Sequence, residues 1–360
     1  MNILVLNSGS SSFKFGLYRV DAVAVQTLLT KSVDNAGHED ATAYVALALA
    51  RPDMPAPDAI GHRIVHGGPK LRQHGVVNGA VLQELEAAAA FAPLHMPAAL
   101  ALLRFAQQRF PGVPQVVCFD TCFHAGLPDV ARVLPIAKEL HAQGIHRYGF
   151  HGLSLESIVR QLGDDLPQRL IIAHLGNGAS VTAIKAGQSI DTSMGMTPSG
   201  GVIMGTRSGD LDPGILVYLM REKSFDAARL QALVDQRSGL LGISGLSGDM
   251  RRLHAAAASN RDARLAIAMF CYSVRKQVAA MVAVLGGLDM LVFTGGIGEN
   301  DAQVRTEVCA GLAWIGLSLD EARNHAARNP VSDCASRCQV LVLPSQEDEQ
   351  IARHAWAVLA

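Results

Sequence analysis

Three places in this 360-residue chain set glycine among short polar residues directly after an apolar run: NSGSSS at 7–12, HLGNGAS at 174–180 and TGGIGEN at 294–300. Backbone N–H groups in a tight polar turn form an anion-binding concavity, and glycine lets the anion come close. Each segment alone also reads as an ordinary turn between strands. Three together, each behind an apolar strand, point to phosphate. None carries the GxxxxGK[ST] of a Walker loop, and no GxGxxG opens a helix after the first strand.

Charged residues near these turns extend the chemistry. Lys14 faces the mouth of the first turn on an alternating strand and would reach a bound phosphate; the plain alternative is an exposed lysine. Arg63 lies in GHRIVHGG, where alternation puts Gly61, Arg63, Val65 and Gly67 on one face. A guanidinium beside a small apolar side chain suits a carboxylate and its methyl group, while an edge-strand arginine beside a core valine is the alternative. By the same alternation Asp120 shares a strand face with Cys118, Cys122 and His124.

These groups need a scaffold. NILVLN followed by the alternating FKFGLYRV reads as a β-hairpin rather than strand and helix. Residues 60–68 and 115–123 read as further strands, with helical patterns at 80–92 and 96–109, so the class is α/β. RLIIAHLGNGASVTAIKAG repeats the strand, polar turn and strand about 170 residues later, which suggests two related halves gripping a ligand between them. Helices are expected near 213–221, 226–236 and 260–285. Ser345-x-x-Asp348 reads as a capping box opening a last helix through 358.

Composition bounds the rest. Apolar residues make up 49%, charged residues 18%, and the net charge is −1, so a folded globular protein is expected, with no nucleic acid or membrane as partner. MNILVLN lacks a basic n-region, and VAAMVAVLGGLDMLVF is interrupted by glycines and Asp289, so a cytoplasmic location is expected. The six cysteines sit mostly in apolar runs and read as reduced core thiols; the two Cys-x-x-x-Cys pairs also allow a metal reading.

NSGSSSFKF, GHRIVHGG, FDTCFH, RYGFHG, HLGNG, DTSMGMTP, MGTRSGDLDP and GGIGEN, in that order, resemble the signature set of the acetate kinase family, within the sugar kinase, heat-shock ATPase and actin superfamily. The resemblance implies two duplicated ribonuclease-H-like domains with an interdomain cleft, domain I being 1–121 plus 345–360 and domain II 122–344. It also implies a homodimer, and reversible phosphoryl transfer between ATP and acetate supported by Mg2+, with Mn2+ as a substitute. A propionate kinase, a non-catalytic nucleotide-driven switch and a sugar kinase are the rival readings.

Residue by residue, the resemblance places Arg63, Val65, Leu94, Phe150 and Pro198 at acetate, and His151 and Arg207 at the transition state. It places Lys14, His174, Leu175, Gly176, Asn177, Gly178, Asp249, Met250, Arg251, Gly296, Ile297, Gly298, Glu299 and Asn300 at ATP, and Asn7 and Glu347 at the metal. The family assigns Asp120 a proton-transfer role. Acetate is already ionised at neutral pH and needs no base, so an ion-binding or arginine-orienting Asp120 fits the charge argument better. The chain departs from the family pattern where LAPLHNP becomes FAPLHMP, TPLEG becomes TPSGG and PTNEE becomes PSQED, and residues 20–60 form a shortened segment. The changes at Met96 and Ser199 are expected to border the cleft, and Val65 to favour acetate over propionate.

Overall fold

The computed structural model describes residues 1–9, 12–34, 38–49, 51–52 and 54–360, so Ser10 and Ser11 of the first turn lie outside the described residues. Two sheets organise the described chain. The first contains β1 (Asn2–Ser8), β2 (Ser12–Val20), β3 (Val25–Asp34), β4 (Ala59–Ile64), β5 (Gly75–Val76) and β6 (Gln115–Phe119), in the order β3-β2-β1-β4-β6-β5. The second contains β7 (Arg169–Leu175), β8 (Ala179–Lys185), β9 (Gln188–Thr192), β10 (Met290–Thr294) and β11 (Gln339–Val342), in the order β11-β10-β7-β8-β9. In both, three antiparallel strands are followed by two parallel ones on the other side of the first strand. Setting β5 aside, the order 3-2-1-4-6 recurs as 9-8-7-10-11. The expected duplication of a ribonuclease-H-like unit is therefore present in topology as well as in hairpin pattern.

Strand β1 is apolar at every position from Ile3 to Leu6 because both of its faces are covered. Leu4 and Leu6 pack with Leu102 and Ala106 of the Met96–Arg109 helix. Ile3 and Val5 pack with Ile351, Ala352 and Ala355 of the last helix, Glu347–Leu359. The Gly152–Leu162 helix plays the matching part for the second sheet, setting Leu155, Ile158 and Leu162 against Leu170, Ile172 and Val292.

Several expected boundaries move. The strand at 60–68 ends at Ile64, so its alternation places Gly61 and Arg63 but not Val65 or Gly67. The strand at 115–123 ends at Phe119 and a 3-10 turn covers Cys122–His124; Cys122 and His124 therefore do not share a strand face with Asp120. TGGIGEN is not a turn: Gly295–Asn300 is helical directly after β10. The capping box does not form, because Ser345 Oγ bonds Ser154 Oγ and the Asp348 carboxylate bonds Asn7. The 25-residue Arg261–Leu285 helix is long and apolar enough to cross a membrane by length and composition, yet one side of it, including Phe270, Val274 and Val278, lies in the core. All six cysteines are free thiols, four of them buried.

Candidate active site

The alternation that seats the last helix also aims the first half of the site. On β1 the side chains of Ile3 and Val5 face that helix, and Asn7 is next in register. On β4 the sequence is Ala59, Gly61, Arg63; on β6 it is Val116, Cys118 and then Asp120, just past the strand end. Three neighbouring strands thus deliver an amide, a guanidinium and a carboxylate to one edge, at the N-terminus of the last helix. Arg63 donates to Asp120 in a bidentate pair, Nε to Oδ1 at 3.1 Å and Nη2 to Oδ2 at 2.7 Å, and from Nη1 to Asn7 Oδ1 at 3.2 Å. The Asn7 amide nitrogen donates to Asp348 Oδ1 at 2.6 Å and to Glu347 Oε2 at 3.3 Å.

The second sheet supplies the facing half. His174, next to last on β7, lies on the side of the Gly152–Leu162 helix, where its Nδ1 meets Ser154 Oγ at 2.9 Å; that oxygen also meets Ser345 Oγ at 2.9 Å. His151 precedes the helix in the left-handed region at φ 61°, which turns its ring over His174 with centroids 4.2 Å apart. Its Nδ1 lies 2.9 Å from Ser180 Oγ on β8. A serine hydroxyl donating to Nδ1 leaves the imidazole proton on Nε2, which points toward Gly178. Arg207 Nη1 donates to the Pro198 carbonyl at 2.7 Å. A β-carbon at residue 178 would stand 2.8 Å from Arg207 Nη2 and 3.3 Å from His151 Nε2, so glycine there keeps both donors open to one point.

One cavity of about 370 Å3 joins the halves. Of the expected substrate and catalytic residues it is lined by Arg63, Val65, Asp120, Phe150, His151, Pro198 and Arg207; of the expected ATP and metal residues, by Lys14, His174, Gly176, Asn177, Gly178, Gly296, Glu299 and Glu347. Others do not face it. Leu94 lines a neighbouring cavity. Leu175 and Met250 are buried in the core, and Gly298 is buried as well. Asp249 caps the Met250–Ala256 helix and pairs with Arg251. Ile297 packs on the core, and Asn300 bonds the Gly296 carbonyl. Asn7 meets the cleft through its bonds to Arg63 and Glu347. Met96 is fully buried and lines neither cavity, and Ser199 lines the neighbouring one, so neither borders the cleft as expected.

Sequence reasoning passed over four contributors. His95 lines the cleft from the segment FAPLHMP. Asp348 holds Asn7, and its signal was the acidic first turn of the last helix. Ser345 lines the cleft beside Glu347, and its backbone N–H shares the Glu299 carboxylate with the Gly295 N–H, each at 2.9 Å. Arg305, fully buried, donates to the Gly298 and Glu299 carbonyls and so closes the C-terminal end of the short helix. Glu299 and Arg305 explain why TGGIGEN winds into a helix: one takes the free Gly295 N–H and the other the Gly298 and Glu299 carbonyls.

Burial and cations set the charge states. Burial, His174, Arg63 and Arg207 push His151 well below the ordinary histidine value, and burial with Arg63 and Lys14 pushes His174 down to about 4. Both imidazoles are neutral at pH 7. Burial and the Arg207 and Arg63 charges lower His95 to about 4. Burial and Arg63 bring Arg207 down to about 10, still a cation at neutral pH. Desolvation opposes the Arg63 charge, but Asp120, Glu347 and Asp348 outweigh it and hold that pKa above the ordinary guanidinium value. Burial lifts Asp120 against the pull of Arg63. Burial opposes the Glu347 charge too, yet Arg63, His174 and Lys14 keep its pKa below normal.

An ionised Glu347 lines the cleft, and the buried Asn7 amide oxygen, which accepts from Arg63, lies behind it; hard oxygen donors of this kind suit a Mg2+ that keeps several waters. Among the described residues a different group, His74, Glu156 and His354, also brings ligand atoms within 4.8 Å of one another. There the Phe119 N–H donates to His74 Nδ1 at 3.1 Å, which leaves the proton on Nε2, facing Glu156. That protonated nitrogen, 4.0 Å from the Glu156 carboxylate, has no lone pair to offer a metal.

The chain is similar to known proteins in sequence and in fold. A family model described as the acetokinase family covers residues 30–353. The chain is 39% identical to an acetate kinase of Methylocella silvestris over 99% of its length and 98% of that relative. Among solved structures it is similar to a propionate kinase from Francisella tularensis, at TM-score 0.91 and 36% identity over 99% of each chain. It is also similar to an acetate kinase of Porphyromonas gingivalis, at TM-score 0.87 and 34% identity over the whole of both.

Proposed function

We propose that this chain, which belongs to the acetokinase family, transfers the γ-phosphoryl group of ATP reversibly to acetate, forming acetyl phosphate and ADP. The observation that carries the reading is the convergence of Arg63, Arg207, His151 and the 176–178 turn on one cavity. Acetate is an anion approaching an anion, so the reaction needs alignment and positive charge more than a base. Arg63, held rigid by Asp120, grips the acetate carboxylate; Val65, Phe150 and Pro198 receive its methyl group. Arg207 Nη2 and the His151 Nε2–H meet the equatorial oxygens of the group in flight. Lys14 and the backbone of the 176–178 turn hold the remaining phosphates. Asn7 and Glu347 would hold Mg2+, which when bound neutralises phosphate charge. Asp120 acts by orienting Arg63 and transfers no proton.

Domain I as residues 1–121 with 345–360, and domain II as 122–344, follow the two sheets and the helix that covers the first. Closing the cleft would bring the two arginines around both substrates and exclude water. A cytoplasmic enzyme fits the balanced charge and reduced thiols. A homodimer fits the Pro213–Lys223 helix, which buries none of its residues and exposes Ile215, Val217, Tyr218 and Met220. A second copy covering this face would leave Tyr218→Glu monomeric in light scattering where the parent is dimeric.

Hydroxamate trapping of acetyl phosphate tests the activity. The parent forms it from ATP, acetate and Mg2+, and Arg63→Ala loses about 10³-fold in kcat/KM, the scale of a charge-stabilising group in a dry site. A parent that binds ATP and forms no acetyl phosphate would favour the nucleotide-switch reading.

A further inference from the structure

Ser345 stands where the chain leaves the second sheet for the last helix. Three hydrogen bonds dock this junction. The Ser345 N–H donates to the Glu299 carboxylate at 2.9 Å, the Gln346 N–H donates to Ser157 Oγ at 3.2 Å, and Ser345 Oγ meets Ser154 Oγ at 2.9 Å. Ser154 Oγ in turn meets His174 Nδ1 at 2.9 Å, so two hydroxyls connect the junction to an imidazole that lines the cleft.

Each hydroxyl has one proton to give, and the chain runs in one of two directions. Inward, Ser345 donates to Ser154, Ser154 donates to His174 Nδ1, and the imidazole proton sits on Nε2. Outward, the His174 Nδ1–H donates to Ser154, Ser154 donates to Ser345, and Nε2 carries a lone pair. A β-carbon at residue 176 would stand 4.0 Å from that Nε2, which therefore faces the 176–178 turn. A lone pair there repels a phosphate oxygen, whereas an N–H binds it. Ser154 is fully buried, and among the described residues its Oγ meets His174 and Ser345 alone. Without the Ser345 proton that oxygen has no donor but the imidazole, and the outward tautomer becomes the one that satisfies it.

We propose that Ser345, acting through Ser154, is a positioning residue that holds the His174 proton on Nε2, where it meets a phosphate of the nucleotide. The proposal rests on the phosphoryl-transfer reading of the cleft and deepens it. No covalent bond to a substrate is involved; the relay fixes the direction of two hydroxyl protons and the site of one imidazole proton. Ser345 leads into the last helix, while Ser154 and His174 belong to the second sheet and the helix that covers it. The phosphate donor is thus set only when the junction between the two halves is docked.

The experiment compares Ser345→Ala, Ser345→Thr and Ser345→Val; threonine keeps the hydroxyl, and valine keeps the shape of threonine without it. Nuclear magnetic resonance of protein labelled at the histidine ring nitrogens, with Mg2+ and ADP present, reads the tautomer, and the signal lost in His174→Gln assigns it. Expected is Nε2–H in the parent and in Ser345→Thr, with a shift toward Nδ1–H in the alanine and valine variants. In those two variants KM for Mg–ATP should rise about tenfold, the scale of one lost hydrogen bond to a charged group, with KM for acetate changed less than about twofold. In a Ser154→Ala background, where the chain is already cut, Ser345→Ala should change KM for Mg–ATP less than about twofold further. A tautomer that stays on Nε2 in both variants overturns the proposal, as does a threonine no better than valine, or a full effect of Ser345→Ala in the Ser154→Ala background. Failure of the underlying reading is distinct: a parent whose tautomer follows residue 345 as expected but that forms no acetyl phosphate overturns the carboxylate-kinase reading and supports the relay.

Discussion

Asp120→Asn isolates what the carboxylate does for Arg63. The parent pair is bidentate at 3.1 and 2.7 Å, with the two side chains 12% and 1% exposed. Asparagine keeps the shape but offers one acceptor, and sets its NH2 against one of the guanidinium nitrogens. Removing one partner of a buried ion pair costs about 3–5 kcal/mol. Asn7 Oδ1 and the carboxylates of Glu347 and Asp348 stay near Arg63, so the lower end applies, about 3 kcal/mol. If that energy is lost from the transition state, kcat/KM for acetate falls about 10²-fold. The Mg–ATP side is held by other residues, so its KM should stay within about threefold of the parent. Hydroxamate trapping over a range of acetate concentrations, with a parallel thermal melt, reads both quantities. Full turnover with normal Mg–ATP binding would refute the orienting role; a loss confined to Mg–ATP binding would move Asp120 to the metal side.

Gly178→Ala places a methyl group between Arg207 Nη2 and His151 Nε2; kcat should fall about tenfold with less than about 2 kcal/mol lost from stability, and an unchanged kcat would show that the two donors do not act at that point. Glu347→Gln should raise the Mg2+ needed for half-maximal activity at least about tenfold, and a Mg2+ titration that overlays the parent would remove this residue from the metal. Acid should unfold the protein steeply. Burial lowers His62, His66, His95, His124 and His174 to about 4 and His74 to about 3, so the unfolded chain binds more protons between those values and its ordinary histidine pKa. Their contribution is complete above about pH 6.5 and disappears as pH falls through 4. Melting temperatures measured from pH 7 to 4.5 should drop throughout that window, and a flat profile would contradict the buried neutral histidines.

The hairpins, the repeated strand pattern and most cleft residues were legible because each rests on local regularities: period-two alternation, polar turns after apolar runs, and short motifs in a fixed order. Alternation took Arg63 to the correct face but not Val65, since the strand ends between them and only tertiary packing decides where. Asp348 and Ser345 were hidden for another reason. Asn7 and Asp348 lie 341 positions apart, and nothing within the last helix says which of three consecutive acidic residues turns toward β1. TGGIGEN shows the reverse failure: its glycines disfavour a helix locally, and side chains from elsewhere in the sequence and from its own Glu299 stabilise one.

The last helix has a consequence for how the molecule is made. The strands β1, β4 and β6 are among the first parts of the chain to be synthesised, yet the Ile351, Ala352 and Ala355 side chains that cover one face of their sheet are translated near the end. Until then Ile3, Val5, Val116 and Cys118 have no covering helix, whereas β7 and β8 of the second sheet follow their own helix at Gly152–Leu162 and are covered as they emerge, with β10 and β11 joining at residues 290–342. Contacts that span almost the whole chain are slow to find. The order of assembly on the ribosome should therefore run against the order of translation, with the first half of the sequence the last to become native and the one dependent on protection while it waits.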